Sequence, residues 1–285
     1  MAQNQVGRIY VGNNLMFPSR QVIPLSISIT GGSEVTSGDY KIITFTSDAS
    51  MEIRGEGTIE TLLVGAGGSG GQNSFPPSYG AGGGGGGGVI YGTGLSISAG
   101  NYAITIGQGA AGANGGDTSI GSWALAKGGG KGAADGGSGG GANNNGSSST
   151  SPGSTLSGTV PSGATEYGNA GGNATPTQGG GGGGATQVGG NAPYAVNYGG
   201  KGGDGFTTTI SGASVTYGGG GGGGVGGSIS GTPNNGGTGG GGQGASQTYP
   251  GDIGTDGLGG GGGGTFASGA KRGGHGVVII KYKFQ

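Results

Sequence analysis

Hydrophobic and polar residues alternate along the chain in four separate stretches. In residues 40–45, Tyr40, Ile42 and Thr44 lie on one face, while Ile43 and Phe45 support the other. Ile59, Thr61 and Leu63 alternate with Glu60, Leu62 and Val64. Tyr102, Ile104 and Ile106 share a face, and at the C-terminus Val278, Ile280, Tyr282 and Phe284 stand opposite Lys281 and Lys283. β-Branched and aromatic residues at a period of two predict strands. Residues 206–210 and 214–217, joined by Ser211, Gly212 and Ala213, predict a hairpin. No stretch carries the 3.6-residue stripe of an amphipathic helix.

Between these strands the alternation stops. Residues 82–88 and 218–224 are seven consecutive glycines, and 179–184 and 259–264 are six. With 89 glycines in 285 residues, side chains cannot fill the interior. A Gly/Ser-rich chain without a period commonly stays a flexible coil, because fixing each residue costs about 1–2 kcal/mol of backbone entropy. Strands frame the glycine blocks at both ends here, which favours order.

Three ordered forms can be compared. Collagen needs glycine at every third position with abundant proline; the runs here are unbroken and proline numbers only 10. An α-helix is disfavoured by about 1 kcal/mol for each glycine relative to alanine. The extended threefold helix rises about 3.1 Å per residue and has no internal hydrogen bonds. Packed side by side, such helices can exchange N–H···O=C bonds laterally, provided inward positions lack Cβ. The fold class predicted is therefore all-β/irregular, without α-helix. A small β-sandwich-like strand frame should carry a packed bundle of polyglycine II helices and tip loops.

Composition narrows the chemistry. With no cysteine, disulfides and thiolate metal sites are excluded. No basic-then-apolar signal peptide opens the sequence, and no apolar run approaches the roughly 20 residues of a spanning helix. Net charge is −1 with 8% charged residues, which gives no electrostatic basis for nucleic-acid binding. GxGxxG matches follow from composition alone, and none opens a helix after a strand. Gly199 to Phe206 fits the calcium nonapeptide once, where such sites need tandem copies. Asp252 and Asp256 lie four apart in a glycine-rich loop and are read as a solvated turn rather than a cation pair. Arg272-Gly273-Gly274 is a lone RGG, His275 is the single histidine and is read as structural, and Trp123 reads as a core plug between frame and bundle. No catalytic residue, cofactor or metal is assigned, and the chain is expected to be no enzyme.

The order TIETLLVGAGGSGG, NYAITIGQGAAGANGGDTSIGSWALAKGGG, KGGDGFTTTISGASVTYGGGGGGG and GGHGVVIIKYKF resembles the glycine-rich domains of bacteriophage structural proteins. It also resembles the polyglycine-helix adhesins at the tail-fibre tips of T-even-like phages. The resemblance covers residues 40–285. It implies a virion protein, made in the host cytoplasm, whose partner is a host cell-surface receptor: a glycan or the loops of an outer-membrane protein. A capsid-decorating or head-fibre role is the alternative. Ice binding is a third class, but the regular tripeptide pattern of springtail antifreeze proteins is missing.

Two domains follow. Residues 1–39 carry scattered apolar anchors and few glycines, too little for a core of their own. They are expected to add strands to the main domain or to dock on other virion proteins as an attachment segment. Residues 40–285 form the β-framed glycine domain, compatible with a homo-oligomer.

Recognition is assigned to loops. Uncharged segments rich in Asn, Ser, Thr and Gln with isolated Tyr and Phe have the composition of adaptable binding surfaces. If successive glycine helices alternate in direction, residues 72–80, 142–178, 206–217 and 243–258 fall at the far tip. Residues 185–198 and 228–238 then fall at the frame end. The expected receptor-binding residues are Phe75, Tyr79, Tyr167 and Tyr249.

Overall fold

The computed structural model describes residues 9–11, 14–16, 23–72, 79–144, 149–194, 198–226, 234–266 and 269–284. Along them run β1 (Ile9–Val11), β2 (Asn14–Met16), β3 (Ser26–Thr30), β4 (Ser33–Ser37), β5 (Tyr40–Phe45), β6 (Ala49–Arg54), β7 (Thr58–Val64) and β8 (Val89–Ser96). They are followed by β9 (Gly100–Thr105), β10 (Thr118–Ile120), β11 (Ala124–Ala126), β12 (Thr165–Tyr167), β13 (Phe206–Thr208), β14 (Val215–Tyr217) and β15 (Val277–Lys283). One sheet has five strands in the order β11-β10-β9-β6-β3, and a second has six in the order β12-β8-β7-β15-β5-β4. The pairs β1-β2 and β13-β14 are separate hairpins. Among the described residues there is no α-helix.

Alternation gives the central strands of the six-stranded sheet two duties. Ile43, Phe45, Ile59, Leu63, Val278, Ile280 and Tyr282 point inward and meet Ile27, Met51, Ile53 and Ile104 of the five-stranded sheet. This is the core of a β-sandwich. Each such side chain, fully buried, contributes about 1.5–3 kcal/mol. Trp123, in the turn between β10 and β11, packs against the same core. On the other face, Ile42, Leu62, Val64 and Ile279 lie under Ile210 and Tyr217 of the β13-β14 hairpin.

Residues 25–37 belong to the sandwich. Leu25 and Ile27 are buried in its core, while β3 and β4 each add an edge strand. A boundary at residue 39 cuts through one hydrophobic core, so a chain starting at Asp39 would lose both side chains from it.

Three strands of the six-stranded sheet run straight into glycine helices. β7 continues into residues 65–72, residues 80–88 lead into β8, and residues 271–276 lead into β15. The hydrogen bonds of the central helix define its geometry. Gly83 and Gly86 donate to Gly180 and Gly183, each at 2.9 Å. Gly84 and Gly87 donate to Gly262 and Gly259, and Gly85 and Gly88 to Gly130 and Lys127. Every third residue thus addresses the same neighbour, the threefold period of polyglycine II. The carbonyls of the same helix accept from Gly65, Gly68 and Gly71, from Ser138 and Gly141, and from Gly221 and Gly224. Six helices surround it, three receiving its N–H groups and three donating to its carbonyls. The backbone polar groups of this segment find partners laterally, as a buried backbone requires.

The need for glycine is direct. A Cβ on Gly84 would stand 2.1 Å from the Gly68 carbonyl oxygen, and one on Gly221 would stand 2.1 Å from that of Gly262. Carbonyl oxygens occupy the volume that side chains would need. Small side chains survive at a few buried positions, among them Ala66, Ala81, Ala142 and Ser138.

Candidate functional site

The bundle has a rooted end and a far end, and hydrogen bonds show which segments share each. At the far end, the Gly80 N–H donates to the Thr177 carbonyl at 3.0 Å and the Ala81 N–H to that of Thr265 at 3.1 Å. The Val225 N–H donates to the Ala245 carbonyl at 2.8 Å, and Gln178 bridges Val225. The Thr265 hydroxyl caps Gly71 at 2.9 Å, and the Asn143 side-chain oxygen accepts the Gly82 N–H at 2.8 Å. The Thr265 and Asn143 side chains therefore finish the ladder where the glycine runs stop.

Two of the expected site residues fall at this end. Tyr79 directly precedes Gly80 and is half-buried. Tyr249 sits in a tight turn closed by Ser246 N–H to Tyr249 O at 2.8 Å. A hydrogen bond to the Asp252 carboxylate, followed by burial, raises the Tyr249 phenol above its usual pKa. Phe75 lies outside the described residues.

Tyr167 does not belong here. It is in β12, paired with Val89 at the start of β8, and its ring stacks on Phe206 at 4.5 Å. Phe206 in turn lies 5.2 Å from Tyr91, whose hydroxyl donates to Glu60 at 2.8 Å. These rings close the outer apolar face of the six-stranded sheet at the rooted end.

Other tip assignments are corrected by the same geometry. Hairpin β13-β14 lies on the frame, and the segment 142–178 passes the frame at β12 between two visits to the far end. The Ala192 N–H donates to Asn173 O at 2.8 Å, which puts Tyr194 at the far end rather than the rooted one. Tyr194 is 78% exposed and Tyr198 43%. Tyr194 and Tyr198 are the candidates that sequence reasoning sent to the wrong end.

The reason is that several crossings went uncounted, the last helix among them. Residues 259–265 run away from the frame: Gly259 N–H donates to His275 O beside β15, and Thr265 reaches Gly71. The return is made by residues 271–276, whose side-chain-bearing positions Lys271, Arg272 and His275 hid its period. Gly273, Gly274 and Gly276 are the positions where Cβ would meet backbone within 2.3 Å. The pair Gly273 and Gly276, three apart, was the available signal.

The charged motifs serve as ties between outer helices. Burial would raise the Asp204 carboxylate, but the Thr238 N–H at 2.9 Å and Lys201 at 3.2 Å outweigh it and hold the pKa low. The glycines of its nonapeptide-like motif are helix positions. Asp256 and Asp252 do not converge: Asp252 faces Tyr249, whereas Arg272 grips Asp256 with two bonds of 2.6 and 2.9 Å. The Arg272 hydrogen bond, aided by the His275 N–H, holds the Asp256 carboxyl at about 2. Nδ1 of His275 accepts the Gly109 N–H at 3.0 Å. Among the described residues, no three His, Cys, Asp or Glu side chains gather as a metal site.

Comparison with known proteins adds one relation. No curated protein matches the chain. A family model described as a glycine-rich domain matches residues 44–283, from the last two residues of β5 to the end of β15. Strands and glycine helices thus fall together within the one match, and the chain belongs to that glycine-rich domain family.

Proposed function

We propose that the protein is a bacteriophage virion protein, a receptor-binding adhesin of a tail fibre or tail tip that recognises the host cell surface. The observation that carries this reading is the polarity of the bundle. One end is rooted in a sandwich, while the other brings Tyr79, Tyr194, Tyr198 and Tyr249 to positions where the glycine helices turn. Tyrosine offers rigid amphipathic contact area, and the neighbouring Asn, Thr and Gln offer adaptable hydrogen bonds. A laterally bonded scaffold holds such loops at little cost in ordering. The resemblance in strand-and-glycine order to phage fibre-tip proteins supports the same reading. Attachment to other virion proteins through the N-terminal region belongs to this proposal.

The test is binding of the purified protein to susceptible cells. Aromatic anchors commonly carry about 2 kcal/mol or more each. Replacing Tyr79 and Tyr249 together by alanine should weaken binding by at least about tenfold without lowering the melting temperature. Tyr40→Ala, on the sandwich, should bind like the parent. Equal binding by the double variant would remove the far end from recognition. A parent that binds no host cells and labels the phage head would instead point to capsid decoration.

A further inference from the structure

The two sides of the sandwich are treated differently. On one side both sheets are strapped together: Leu125 of β11 exchanges two backbone bonds with Thr159, at 2.9 and 3.0 Å. The adjoining Gly158 N–H donates to Glu166 of β12 at 2.7 Å. On the other side, β4 ends the six-stranded sheet with no strand beyond it among the described residues, and all five of its residues are exposed. It carries no proline, lysine or bulge to blunt the edge, and its one charge, Glu34, is paired with Lys41. Val35 at its centre is 61% exposed.

Among the described residues, nothing pairs with the outward backbone groups of this edge. Gly38 and Asp39 make a two-residue turn between Ser37 and Tyr40, with Gly38 at φ +59 as the first position of a type II′ turn requires. The pair closing such a turn exchanges both bonds, and the pattern alternates along the strands. Ser37, Val35 and Ser33 therefore direct their backbone groups to β5, while Thr36 and Glu34 direct theirs outward.

We propose that β4 is a homodimer contact, pairing antiparallel with β4 of a second copy about a twofold axis through Val35. In this register each Glu34 backbone exchanges both bonds with the Thr36 of the other copy, which satisfies all the outward groups. Val35 meets its own symmetry mate as a non-hydrogen-bonded pair, where side chains approach most closely. Ser33 faces Ser37, and Glu34 faces Thr36, so no like charges stand directly opposite. Each Glu34 carboxylate is already held by Lys41 at 2.7 Å. A twofold contact of this kind is isologous and closed, so it makes dimers rather than fibres. It joins the two six-stranded sheets into one continuous sheet. One strand pair is a small interface, so the dimer should form at about 10–100 µM protein.

The full chain should sediment as a monomer when dilute and as a dimer at about 100 µM. Val35→Lys places two cations at the axis and should keep it monomeric with an unchanged melting temperature. The register is read separately with cysteine, of which the chain has none. In a non-hydrogen-bonded pair the Cα atoms lie about 4.5 Å apart, within reach of a disulfide. Val35→Cys should therefore give a covalent dimer on mild oxidation, whereas Ser37→Cys should not. A parent that stays monomeric, a Val35→Lys variant that still dimerises, or equal cross-linking by the two cysteine variants would each overturn the proposal.

Discussion

In the sandwich, Phe45, Leu63 and Ile280 fill the gap between two sheets with side chains, and backbone bonds run within the plane of each sheet. Around residues 80–88 the filling is the backbone itself, and its bonds reach six neighbouring helices. The first region excludes water with apolar volume. The second does so by bringing peptide groups so close that carbonyl oxygens sit where Cβ atoms would be. A sandwich position tolerates exchange among side chains of similar volume, because the cavity is shaped by other side chains that can shift. Most interior bundle positions tolerate nothing larger than hydrogen, the buried Ala66, Ala81, Ala142 and Ser138 excepted, because their neighbours are main chain held by their own hydrogen bonds.

Single carbons put this contrast to the test. Gly221→Ala adds one carbon at a place 2.1 Å from the Gly262 carbonyl oxygen, and the obstructing atom is backbone. A loss of at least about 3 kcal/mol, the upper end for overpacking, is expected by chemical denaturation. Gly269 has nothing within 4 Å of the same added carbon, so Gly269→Ala should change stability by less than about 0.5 kcal/mol. Equal midpoints for the two variants would mean that the helices are not in close contact. In the sandwich, Ile280→Val removes one carbon from a fully buried side chain and should cost about 0.5–1.5 kcal/mol. A loss as large as that of Gly221→Ala would erase the distinction between the two regions.

Acid gives the smallest effect and separates the regions by charge. The Asp256 carboxyl is held at about 2, below its ordinary 3.8, chiefly by Arg272. A depressed carboxylate adds stability that is fully present above about pH 4 and is lost as pH falls towards 2. Its side chain is 48% exposed, so solvent screening limits the effect to about 1 kcal/mol or less. Asp256→Asn should flatten the pH dependence of stability in that window. An unchanged acid slope would show that the tie between residues 252–258 and 271–276 contributes nothing.

Legibility divided along the same line as the packing. The strands β5, β7, β9 and β15 were plain in the sequence, because a strand with two different faces writes its environment into every second residue. The unbroken glycine runs were equally plain, because only interior helices, surrounded on all sides, demand glycine at every position. Peripheral helices such as residues 271–276 need it only at inward positions, so Lys271, Arg272 and His275 concealed this one. Missing it reversed the direction assigned to residues 259–264, and further crossings within 142–178 and 185–198 went uncounted in the same way. Tyr167 moved to the frame, and Tyr194 and Tyr198 moved to the far end.

What the amino-acid order determined by itself was the kind of packing: β-branched alternation for a two-faced sheet, and uninterrupted glycine for backbone contact without Cβ. It also determined that the loops would carry tyrosine and few charges. The tertiary structure alone decided which helix lies beside which, because most partners of residues 80–88 are distant in sequence and are glycines like one another. A glycine carries no side chain to distinguish one neighbour from another. Its address is set by the strands at each end and by the turns between, and these become readable only when the whole bundle is assembled.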